Sequence, residues 1–100
     1  MLLAHAITLA EARSYVAALA DLAHTFDASV EYERVLLQLD WIHGDDTPAL
    51  DAAGLTDDRD VLFAVATSAI EELADYHGVD GLKIELVLDM LEAARAKDEP

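Results

Sequence analysis

The side chains here that can do chemistry are carboxylates, imidazoles and hydroxyls. There is no cysteine, which excludes disulfides, thiolate metal sites and thiol nucleophiles. Six aspartates crowd one stretch, Asp45, Asp46, Asp51, Asp57, Asp58 and Asp60, with Arg59 as the cation among them. They lack the spacing and central glycine of a calcium-binding loop, so they suit weak, delocalised cation binding and not a dedicated site. The histidines are His5, His24, His43 and His77. The last three fall near expected helix ends, where an imidazolium favours the dipole. No His-x₃-His or Glu-x-x-His pair accompanies them, so no metal and no cofactor are expected. Ser14, Ser29 and Ser68 have no glycine elbow beside them, and Glu71-Glu72 reads as a solvated edge. Nothing assembles a catalytic set, and the expectation is a protein that is not an enzyme.

The segment Gly78-Val79-Asp80-Gly81-Leu82, continuing Ile84-Glu85-Leu86-Val87, resembles the prosthetic-group site of acyl carrier proteins. In that family a serine between the aspartate and the leucine holds phosphopantetheine. Here the position is Gly81, and the further helices of a carrier do not follow. Asp80 as a helix N-cap accounts for the same letters, so no carrier function is expected.

Charge narrows the partners. With 21 acids against 6 bases the formal net charge is −15. Direct binding to nucleic-acid phosphates or to anionic lipid is disfavoured, because no basic patch exists to make it. A basic protein surface would be attracted and its encounter accelerated. The same acidity, with lysine rare and alanine and aspartate abundant, also fits an acidic proteome or a GC-rich genome. No apolar run reaches the length of a membrane span. The opening MLLAHAIT lacks the basic residues of a signal peptide, so a cytoplasmic location is expected.

These residues must be positioned by helices. The stretch Val61 to Leu73 stays apolar almost all round, which places it as a central helix spanning roughly 57–77. Thr56 is its expected N-cap, and Gly78 its left-handed stop. Thr67 and Ser68 can return hydroxyl bonds to the preceding turn. An earlier helix opens at Thr8 as a capping box with Glu11, and residues 1–7 form an arm or extend it backwards. Its seam is Leu9, Ala12, Val16, Leu19, Ala23 and Phe26, with Arg13 outside. A second helix, capped by Asp27 or Ser29, carries Tyr32, Val35, Leu36, Leu39 and Ile42, with Leu37 and Trp41 beside them. Alternation in that stretch leaves a strand open, although no partner strand exists for it. Thr47-Pro48 starts a short helical turn ending near Ala53. The last helix runs from Gly81 to about Ala96, with two apolar rows, Leu82-Leu86-Met90-Ala93 and Ile84-Val87-Leu88-Leu91.

The expected fold is all-α: a compact four-helix bundle in one domain, 1–100, with a short extra helical turn between helices 2 and 3. Residues 43–56 are its acidic connector and 98–100 a frayed tail. The expected function is an acidic protein-binding module of the immunity, antitoxin or phage-inhibitor type. It would occupy the basic nucleic-acid-binding surface of a partner such as a nuclease. The alternative is a structural helical homo-oligomer whose acidity is background. Partner contacts are assigned to Trp41 with Asp45, Asp46, Asp51, Asp57, Asp58 and Asp60, with the alternative that Trp41 is a core residue and the acids are merely solvated.

Overall fold

A computed structural model describes residues 3–43, 56–76 and 78–98. They form four helices, α1 (Leu3–Leu22), α2 (Phe26–His43), α3 (Arg59–Leu73) and α4 (Gly81–Asp98). No strand occurs among the described residues, so the segment after Ser29 is helix. The expected turn between Pro48 and Ala53 lies outside the described residues, as do Asp45, Asp46, Asp51 and His77.

Capping chemistry sets the helix boundaries. Thr8 does not open α1. It sits inside the helix, its hydroxyl donating to the Ala4 carbonyl at 3.0 Å and paired with the Tyr76 hydroxyl at 3.0 Å. Thr25, not Asp27 or Ser29, caps α2, its hydroxyl accepting from the Ala28 amide at 3.1 Å. The Ser29 hydroxyl instead donates to the Ala20 carbonyl of α1. Asp58, not Thr56, caps α3, accepting from the Asp60 and Val61 amides. Asp80 caps α4 through the Leu82 amide at 2.9 Å, as its position before the apolar rows predicts. Past Leu73 the chain tightens into shorter turns, and Gly78 takes the positive φ, +86°, that favours glycine.

The helices pack as neighbours in the cyclic order α1, α2, α4, α3. Three contacts fix their directions. Tyr76, just past α3, stacks on His5 near the start of α1, ring centroids 4.6 Å apart. Asp98, at the end of α4, accepts from the His24 amide just past α1 at 2.6 Å. The same carboxylate pairs with Arg59 at the start of α3. So α1 and α4 run one way and α2 and α3 the other, and every adjacent pair is antiparallel. His43 and Thr56, the described residues flanking 44–55, lie at opposite ends of the bundle.

The core draws Leu9, Ala12, Val16 and Leu19 from α1, Tyr32, Val35 and Leu39 from α2, and Ile84, Val87 and Leu91 from α4. The helix α3 contributes Leu62, Ala66, Ala69, Ile70 and Leu73. It is not central: Val61 and Ala64 face solvent, because among the described helices α3 meets only α1 and α4 and needs one stripe, not its whole circumference. Phe26, expected in the α1 seam, is exposed at the α1–α2 turn. Arg13, expected outside, is nearly covered and pairs with Asp40 of α2 at 2.7 Å. Asp98 is not frayed; α4 runs on to it and it is 4% exposed. The Thr67 hydroxyl is buried with no hydrogen-bond partner, so it does not return a bond to the preceding turn. No described helix is long and apolar enough to cross a membrane.

Candidate protein-docking face

The surface departs from an ordinary monomer's in where it leaves large apolar side chains. Trp41 is 80% exposed and Leu37, one turn before it, 68%. Helical spacing explains both. Val35, Leu39 and Ile42 form the inward stripe of α2, and Leu37 and Trp41 fall on the opposite side. The core alternative for Trp41 is therefore excluded. On α4 the row Ile84-Val87-Leu91 turns inward, which rotates Leu82 and Leu86 out to 77% and 50% exposure. The sequence pattern shows that row but not its direction, which depends on which helices flank α4.

These two apolar rows border one seam. Lys97 of α4 donates to Glu31 of α2 at 3.1 Å. Glu31, Arg34, Gln38 and Trp41 recur along one side of α2 at helical spacing, and Lys97, Ala93, Met90 and Leu86 along one side of α4. Because the pair is antiparallel, equal steps from Glu31 and Lys97 bring Trp41 level with Val87 and Leu37 level with Leu91. Leu37, Trp41, Leu86 and Leu82 are therefore exposed on the α2–α4 side, from mid-helix to the end away from Asp98. Exposed large apolar side chains gathered on one side of a protein mark a candidate interaction site. On the far flank of α4, Glu71, Asp80 and Glu85 border a groove whose lining includes Leu82, Ile84 and Leu88.

Of the expected acidic pole, Asp57, Asp58 and Asp60 are not beside Trp41, and Asp45, Asp46 and Asp51 lie outside the described residues. Asp57, Asp58 and Asp60 lie at the start of α3, the end marked by Asp98, whereas Trp41 lies near the far end of α2. Asp58 is committed to capping α3. Asp60 pairs with Arg95 at 3.3 Å, and the Arg95 guanidinium also sits 4.4 Å over the Phe63 ring. Only Asp57 of the three keeps no such role among the described contacts. A small cavity of about 70 Å³ opens there between Tyr32, Phe63, Arg59, Arg95 and Asp98. Its arginines are neutralised by Asp98 and Asp60, so it presents no cationic pocket for an anion. Burial beside the Asp98 carboxylate pushes the Tyr32 phenol up to about 12, which keeps it neutral. Among the described residues, no three His, Asp or Glu side chains gather as metal ligands. Comparison of the chain with protein-family models, curated proteins and solved structures gives no match.

Proposed function

We propose that this chain is a non-enzymatic, acidic protein-binding module. It docks on a basic partner through the α2–α4 face, with Trp41 as the central anchor. The observation that carries this reading is Trp41, 80% exposed beside Leu37 in a molecule of net charge −15. Tryptophan is among the commonest interface anchors, and a strongly negative field speeds encounter with a basic surface. A surface that binds nucleic acid is the basic surface such a field selects, so the module acts as an inhibitor that occupies it.

The test is capture from native lysate with wild type and with Trp41→Ala/Leu37→Ser, in low and high salt. Wild type should retain basic, nucleic-acid-handling proteins that heparin displaces. The double variant should lose them while keeping its helical circular dichroism spectrum. Equal capture by both chains, or capture indifferent to heparin and salt, would refute the reading. Sedimentation of the purified chain separates the alternative, since a homo-oligomer held by this face would dissociate in the same double variant with no partner present.

A further inference from the structure

We propose that the groove between the last turns of α3 and the first turns of α4 is a second docking site, taking a basic amphipathic helix of a partner protein. It rests on the protein-binding reading and, of the side chains named for the α2–α4 face, shares Leu82 alone. At one end of this helix pair, Arg95 ties α4 to Asp60 and Phe63 of α3. Toward the turn that joins them, a groove of about 540 Å³ opens instead. Ala74, Leu82, Ile84 and Leu88 line it with apolar surface, and Glu71, Asp80 and Glu85 stand along it with no Lys or Arg among the described lining residues.

Each feature restricts the occupant. The apolar lining calls for an apolar side chain, since Leu82 is otherwise left 77% exposed. Carboxylates on both walls, Glu71 on α3 and Glu85 on α4, call for cations on either side of that side chain. Lysine and arginine meet both demands, laying their stems on Leu82 while their heads reach the acids. The groove is open along its length, so a small molecule would stay largely wet, unlike the occupant of an enclosed pocket. Its walls are helices, and at the start of α4 Asp80 takes the Leu82, Lys83 and Ile84 amides. An extended peptide would find no ladder to join. A helix brings its own backbone already satisfied and presents anchors at i, i+3, i+4 and i+7.

The test uses the full chain and a labelled amphipathic peptide of leucine and lysine, with a leucine–glutamate peptide of the same pattern as control. The lysine peptide should bind saturably at low salt, with amide shifts centred on Glu71, Leu82 and Leu88. Glu71→Lys/Glu85→Lys, both at exposed side chains, should weaken it about tenfold or more. Leu82→Ser, which removes the exposed apolar contact without changing charge, should also weaken it, while Trp41→Ala should leave it within about twofold. Absence of binding, equal binding of the glutamate peptide, or indifference to the groove variants would overturn the inference. Shifts mapping to Leu37 and Trp41 would overturn the groove alone and leave the α2–α4 reading standing. Loss of the lysate partners through Trp41 variants has no bearing on the groove, so the two ideas fail separately.

Discussion

Replacing Asp98 with alanine should be among the most damaging single changes outside the apolar core. The carboxylate is 4% exposed and joins three elements: it ends α4, accepts from the His24 amide beyond α1 at 2.6 Å, and pairs with Arg59 at the start of α3. Loss of a hydrogen bond to a charged acceptor costs about 1.5–3 kcal/mol. Breaking a fully buried pair costs about 3–5 kcal/mol, because the surviving charge is stranded. The Arg59 side chain is 30% exposed, so water screens part of that second cost. An acid at a helix C-terminus is itself unfavourable by roughly 0.3–1 kcal/mol, which its removal recovers. The net expectation for Asp98→Ala is a loss of about 2–3 kcal/mol. Asp98→Asn keeps an oxygen for the His24 amide and gives up only the charge, so it should lose about half as much. Urea denaturation followed by circular dichroism measures both. A double-mutant cycle with Arg59→Ala isolates the pair, and amide exchange at His24 reports the other bond. A change below about 0.5 kcal/mol in Asp98→Ala, or equal losses in the two variants, would refute the assignment of Asp98 as the clasp of this end.

Three further outcomes follow from buried or conformationally special groups. Because Tyr32 is raised from 10.0 to about 12 in the folded protein, its contribution is complete below pH 10 and is lost as pH climbs toward 12. The loss should total roughly 2–3 kcal/mol, and alkaline denaturation of Tyr32→Phe should lack it. Thr67→Val removes the partnerless buried hydroxyl at nearly constant shape and should raise stability by about 1 kcal/mol in the same urea assay. Gly81→Ala should stabilise the start of α4 by about 0.4–1 kcal/mol, read as a higher thermal midpoint, since an added Cβ meets nothing within 4 Å.

Local rules carried the sequence as far as the helices. Asp80 and Gly78 are legible because a cap and a left-handed stop each depend on a residue and its immediate neighbours. The inward stripes of α1 and α2 are legible because helical period alone decides them. Thr8 misleads because its capping-box pattern is equally compatible with a helix that has already begun, and its hydroxyl turns back to Ala4. The run after Asp60 misleads because an all-round apolar helix can either fill a centre or waste one side. Only the neighbours of α3 decide, and among the described helices they are α1 and α4. Asp98 reads as tail because its partners, Arg59 and the His24 amide, are far away in sequence. Leu37 and Trp41 were separable from the core, since both fall off the Val35–Leu39–Ile42 stripe. The groove was not legible, because its two walls become neighbours only through tertiary packing.

The cyclic order of the helices has a kinetic consequence. Each helix of the first half packs most heavily on one from the second half, α1 on α3 and α2 on α4. The short connections between α1 and α2 and between α3 and α4 bring together the pairs that pack less extensively. The α3–α4 hairpin has the least to gain by forming alone, and loop closure across the midpoint of the chain must precede much of the reward. The barrier to folding should be crossed with both halves already docked. A chain severed at that midpoint would behave as two unfolded pieces that gain structure only on mixing, at a rate that rises with their concentration.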